Sequence, residues 1–233
     1  MSKKQIIAMG GGGFSMEPDN LLLDAYVVAA CEKTQPIIGL LPTASGDSDW
    51  LISRFYRAFN TLPCHPKHIP LFHQSTDLAA EVEACDAIYV TGGNTRNMLA
   101  IWKASGMDRL LRDAWERGVV LAGLSAGAIC WFEQGHTDST GCLSTMDCLG
   151  FLLGSCSPHY DGEAQRQGSY HELLKNGAIR SGLALDDGAA AHYHGTERVK
   201  IVTSRPDARA FAVSFQDQSV RETALPTTYL GKA

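Results

Sequence analysis

Ser125 is the residue whose neighbours best equip it for chemistry. It stands in Val119-Val120-Leu121-Ala122-Gly123-Leu124-Ser125-Ala126-Gly127-Ala128, an apolar run ending in Gly-x-Ser-x-Gly with a small, helix-forming segment directly after it. That order describes a buried strand, one sharp turn with serine at its apex, and a helix: a nucleophile elbow. The glycines have a steric reason, because neighbouring chains pass close to such a turn and a Cβ at Gly123 or Gly127 would collide. The turn also leaves the Ala126 amide free at a helix N-terminus, where developing negative charge is favoured. A serine hydroxyl remains a weak nucleophile until a base removes its proton, so a histidine must join it. Of eight histidines, His65, His68 and His73 lie in a Pro-containing stretch that reads as surface. His136 stands two residues before Asp138. His159 lies in Ser157-Pro158-His159-Tyr160-Asp161, where proline stiffens the approach to the imidazole. His192 and His194 alternate along an expected strand beside Asp186 and Asp187, a pattern that would also suit a metal.

The elements that must position these groups follow from periodicity. Short apolar runs at 5–9, 36–41, 87–91 and 119–124 read as strands, and helical patterns at 20–31, 49–59, 95–104 and 108–116 lie between them. Such alternation is the mark of a mostly parallel sheet covered by helices on both faces, an α/β fold whose ligands bind at the carboxyl ends of the strands. Each of the four strands runs into a glycine-rich or small, polar turn: Gly10-Gly11-Gly12-Gly13, Thr43-Ala44-Ser45-Gly46, Thr91-Gly92-Gly93-Asn94 and the elbow itself. Residues 133–162 read as loops and short elements, 163–174 as a helix. Strands at 182–185, 189–194, 199–203 and 210–215 would finish the sheet or form an antiparallel flap.

Composition narrows the function. A chain of 233 residues fits one domain spanning 1–233, and a net charge of −5 leaves no basic footprint for nucleic acid. No apolar run reaches the ~20 residues of a membrane span, and the apolar start is too short for a secretory signal, which points to a cytoplasmic protein. The seven cysteines contain no C-x-x-C pair and read as reduced thiols. The first glycine run lacks the third glycine of G-x-G-x-x-G, and there is no Gly-Lys-Ser/Thr, so no nucleotide cofactor is expected.

Gly-Leu-Ser-Ala-Gly-Ala, preceded by Thr-Gly-Gly-Asn-Thr and followed by Ser-Pro-His-Tyr, closely resembles peptidase E, the α-aspartyl dipeptidase family. The resemblance runs through nearly the whole chain, including the Leu-Pro-Thr-Ala turn and the Gly-Glu-x-x-Arg that follows the histidine. It implies a flavodoxin-like sheet similar to the class I glutamine amidotransferases, no cofactor or metal, and a small peptide substrate cleaved after an N-terminal aspartate by a monomer or homodimer. By that resemblance Ser125 is the nucleophile and His159 the general base. Asp138 is the first choice for the acid that orients the imidazole, with Asp187 in Leu185-Asp186-Asp187-Gly188 the second. Amides of Gly93 and Ala126 would form the oxyanion hole, and Arg166 would read the aspartyl carboxylate with its guanidinium fork. Alternatives are a hydrolase of this fold with another peptide specificity, or a ligand-binding member without activity. An α/β-hydrolase shares the order Ser, Asp, His, but its histidine tends to lie near the C-terminus, whereas 74 residues follow His159.

Overall fold

The computed structural model describes residues 3–72 and 77–231. His73 lies outside them. In chain order the strands are β1 (Gln5–Met9), β2 (Ile37–Leu41), β3 (His65–His68), β4 (Ala87–Val90), β5 (Val120–Leu124), β6 (Phe132–Thr137), β7 (Ser144–Asp147), β8 (Leu152–Ser157), β9 (Gly182–Leu185), β10 (Ala189–His194), β11 (Glu197–Thr203), β12 (Ala210–Gln216), β13 (Ser219–Ala224) and β14 (Thr228–Tyr229). The helices are α1 (Gly13–Met16), α2 (Leu22–Ala30), α3 (Asp49–Phe59), α4 (Leu78–Glu83), α5 (Thr95–Ser105), α6 (Met107–Arg117), α7 (Ala126–Ile129) and α8 (Arg166–Lys175). No described helix is long and apolar enough to cross a membrane.

The expected α/β sheet is present, in the order β14-β11-β10-β1-β5-β4-β2-β3. Strands β1, β5, β4, β2 and β3 run parallel, and β10 closes antiparallel on β1. Strands β1, β5 and β4 are buried along their whole length, as continuous apolar runs in a sheet covered on both faces must be. Helix α3 buries Leu51, Phe55, Ala58 and Phe59, and α6 buries Met107, Leu111, Ala114 and Trp115, each at the spacing of one helical face. The pairs Met9↔Leu124, Val90↔Gly123 and Leu41↔Val90 align the carboxyl ends of four strands, so their turns emerge along one rim.

The stretch 133–162 departs from its sequence reading. It contributes β6, β7 and β8 to a second sheet, ordered β13-β12-β9-β8-β6-β7, in which β6, β8 and β9 are parallel. Several of its polar residues are buried and bonded rather than looped into solvent: Ser155 bonds Tyr170, and His136 bonds Ser157 and Ser169. Both sheets feed one apolar cluster, from Ile6 and Leu121 on the first to Cys156 and Leu183 on the second. Helices α1 to α3 cover the other face of the first sheet, and α8 packs on the second. The segment holding His65 and His68, read as surface, is an edge strand.

Asp24 is fully buried under the first glycine turn. Tyr89 donates to its Oδ1 (3.0 Å), Oδ2 has no partner among the described residues, and burial pushes its carboxyl up to about 7. Unfolded, the group titrates near 3.8, so between there and about 7 the folded chain holds a proton that the unfolded chain has lost. Stability therefore falls as pH rises through that window and levels off above it. Asp24→Asn should remove this slope: relative to the variant, the wild type should lose on the order of a few kcal/mol across the window. Urea midpoints at several pH values measure it. Parallel curves for the two proteins would refute it.

Candidate active site

The elbow forms because nothing but hydrogen fits at its glycines. A Cβ on Gly123 would overlap the Gly127 carbonyl and lie 2.8 Å from Val90 O, and one on Gly127 would press into Val90 of the neighbouring strand. The chain can reverse there only by taking Ser125 to φ 54°, ψ −113°, a strained conformation for a residue with a side chain. Helix α7 starts at once, so the amide of Ala126 has no partner within it.

The end of β1 gathers the rest. The amide of Ser125 donates to Met9 O (3.1 Å), that of His159 to Gly10 O (3.3 Å) and that of Gly188 to Gly11 O (3.0 Å). Three consecutive carbonyls thus hold three segments distant in sequence. His159 follows β8 by two residues and Asp187 follows β9 by two, and those strands pair in parallel with Ser157 opposite Ala184. The two side chains therefore leave one rim side by side. His159 Nδ1 lies 2.6 Å from Asp187 Oδ1, with both side chains largely buried. His159 itself has φ 52°, which turns its ring out of the line of β8.

The oxyanion donors expected at Gly93 and Ala126 lie on turns that flank the serine. A Cβ on Gly92 would sit 3.3 Å from Ser125 Cβ. Gly93 adopts φ +137° with Ser45 N 2.9 Å from where its Cβ would be, so the turn accepts only glycine there. The next amides are committed, Asn94 N to Ala44 O (2.8 Å) and Thr95 N to Ser139 Oγ (2.8 Å), whereas that of Gly93 bonds no group among the described residues.

A serine at an elbow, on the rim that also carries a histidine–carboxylate pair, has the residue types that acyl transfer needs. Residues 6–201 match peptidase family S51. The chain belongs to that family. It is 55% identical over 229 residues to YgaJ, an uncharacterised peptidase of Bacillus subtilis strain 168, a match covering 98% of this chain and 100% of YgaJ. In fold it is similar to a peptidase from an acI-B1 actinobacterium (TM-score 0.71, 19% identity, 96% of this chain and 94% of that one). A candidate peptidase E from Listeria monocytogenes EGD-e is also similar (TM-score 0.61, 20% identity, 85% and 98%). The S51 assignment makes the protein a serine-type peptidase.

Within this S51 peptidase the carboxylate on His159 is Asp187 and not Asp138, the acid expected first. Strands β6 and β9 flank β8 on opposite sides, and Asp138 leaves the end of β6 with its side chain exposed. The neighbouring Ser139 points inward instead, onto Thr95. Arg166 also differs from expectation. Its side chain is only 3% exposed, and its guanidinium is held by Glu163 Oε2 (2.6 and 3.0 Å) and by His136 O (3.1 Å). It is a buried, paired cation rather than an open fork. His136 is enclosed beside it, and burial, reinforced by Arg166, pushes its imidazole down to about 3. The His-x-His alternative fares similarly: His192 bonds Tyr26 (2.8 Å) and Gln5 (2.9 Å), one through each ring nitrogen, and burial lowers it to about 4.

Asp161 was passed over in the sequence. Its Oδ1 accepts the amide of Asp187 (2.8 Å) and so anchors the residue that bonds His159. Its adjacency to Ser157-Pro158-His159-Tyr160 was the available signal. Gly11 is a second such residue. A Cβ there would overlap Asp187 Oδ1 and lie 2.9 Å from His159 Nδ1. Gly11→Ala should therefore lower kcat by about a hundredfold or more, because displacements near 1 Å in a positioned site cost that much. The thermal midpoint should move little by comparison. Retention of wild-type kcat would mean that the His159–Asp187 contact does not matter.

Proposed function

We propose that this peptidase cleaves short peptides through an acyl-enzyme on Ser125. The observation that carries the reading is the 2.6 Å contact between His159 Nδ1 and Asp187 Oδ1 on the rim that also holds Ser125. With Nδ1–H donated to Asp187, Nε2 is the acceptor. It takes the proton of Ser125 Oγ as the oxygen attacks the peptide carbonyl, and the Gly93 and Ala126 amides receive the oxyanion. His159 then gives that proton to the leaving amine. Water, deprotonated by the same nitrogen, attacks the ester and releases the acid, and the proton returns to Ser125.

The preferred substrates in this reading are dipeptides with N-terminal aspartate, with Arg166 as the receptor. The turn from His159 to α8 is tight, Glu163 N donating to His159 O (3.2 Å), and Arg166 opens α8 three residues after Glu163. Glu163, 46% exposed, must swing away for the substrate carboxylate to take its place. The enclosed guanidinium favours a second reading: a peptidase of the same mechanism that selects some other short peptide. A panel of Asp-X, Glu-X, Ala-X and β-aspartyl-X dipeptides separates them. The aspartyl reading expects kcat/KM for Asp-X to lead by about ten- to hundredfold, the worth of one charge-assisted pair. Equal or better cleavage of Ala-X would transfer the choice to the second reading.

A further inference from the structure

We infer that the cavity between α1, the turn leading into α2, and α3 is a binding site for a small organic carboxylate with an apolar body. The cavity has a volume of about 310 Å³, and its lining includes Phe14, Leu21 and Ala58 on the apolar side and Arg54, Arg57 and Asp19 on the polar side. That volume lies at the small end of ligand sites and suits a molecule the size of one amino acid.

The argument starts from Arg54. Its guanidinium lies 4.6 Å over the Trp50 ring and donates one Nη2 hydrogen to Phe14 O (3.2 Å). Its Nε is buried and has no hydrogen-bond partner among the described residues. Neither Arg54 nor Arg57 has a carboxylate within ion-pair distance among those residues, whereas the far more enclosed Arg166 has Glu163. A half-buried guanidinium without a counter-charge is costly, and an anion from outside the chain relieves that cost. Arg54 and Arg57 are three apart on α3 and so present both charges to one side of the helix. The apolar floor excludes a bare inorganic anion as the best fit and favours a hydrocarbon portion behind the charge. Asp19, on the same lining, suits an ammonium group on the ligand. The shared chemistry is a carboxylate with an aliphatic tail, with or without an α-amino group.

The cavity's lining includes neither Ser125 nor His159 nor Asp187, and binding there can be tested without turnover. Calorimetric titration of the intact protein with 4-methylpentanoate, leucine and 4-methylpentan-1-ol is the direct measurement. One saturable site is expected for at least one of the two carboxylates, with the alcohol at least about tenfold weaker. Tighter binding of leucine would mean that Asp19 reads the ammonium; tighter binding of 4-methylpentanoate would mean a plain carboxylate, and both support the site. Arg57→Glu, at an exposed position, should abolish binding with the fold unchanged, and Arg54→Met should weaken it about ten- to hundredfold, with Arg54→Lys recovering part. Absence of saturable binding by both carboxylates at tens of millimolar, or binding that survives Arg57→Glu unaltered, would overturn the inference.

Discussion

Replacing Ser125 by alanine is expected to abolish peptide hydrolysis, with kcat falling on the order of 10⁴- to 10⁶-fold. Alanine keeps the Cβ and the φ of 54°, so the strain of the elbow is unchanged and only the hydroxyl oxygen is lost. The backbone bonds that hold the position, Ser125 N to Met9 O and Ala128 N to Ser125 O, do not involve the side chain. Folding should therefore be intact, judged by circular dichroism and an unchanged or slightly raised thermal midpoint. A fluorophosphonate should label the wild type at Ser125 and leave the variant unlabelled. Full peptidase activity in Ser125→Ala would remove the serine from the mechanism, whatever the geometry around it.

Asp187→Asn should reduce kcat by about 10⁴-fold, whereas Asp138→Asn should leave it close to the wild-type value. The asymmetry is one of hydrogen-bond polarity. Asp187 can only accept from His159 Nδ1, which leaves Nε2 bare and basic; an asparagine amide can donate to Nδ1 and hold the proton on the wrong nitrogen. Asp138 is exposed at the end of β6 and has no such hold on the ring. Steady-state kinetics of the two variants on one short peptide decide the matter, with kcat the informative term because the proposed mechanism uses the imidazole in the chemical step. Equal, small losses would mean that neither carboxylate orients His159. A large loss in Asp138→Asn alone would reverse the assignment.

Much of the first sheet was legible in the chain. Strands β1 and β10 coincide with their expected spans, and β2, β4 and β5 differ by one residue at an end, since strands buried on both faces must be unbroken apolar runs. Helices α3, α5 and α6 announce themselves through one-sided apolar spacing. The second sheet was less legible. Strand β6 contains Gln134, Gly135, His136 and Thr137, and such polar residues look like a loop until Ser157, Ser169 and Tyr170 are seen to satisfy and cover His136. Arg166 teaches the same lesson. A cation three residues after a glutamate reads equally well as a receptor or as half of an ion pair, and burial decides between them.

The elbow was determined by the sequence alone. The signal is local, a glycine on each side of the serine, although the crowding that requires those glycines comes partly from Val90 of the neighbouring strand β4. The residue types that acyl transfer needs were also present in the chain, and the resemblance implied Ser125 and His159 for the nucleophile and base. Which carboxylate serves His159 was decided only by tertiary structure. Asp138 is nearer to it in the chain, but Asp187, 28 residues away, is its neighbour because β8 pairs with β9 in a register that sets Ser157 opposite Ala184. Strand pairing is non-local, so no spacing in the sequence carries that choice.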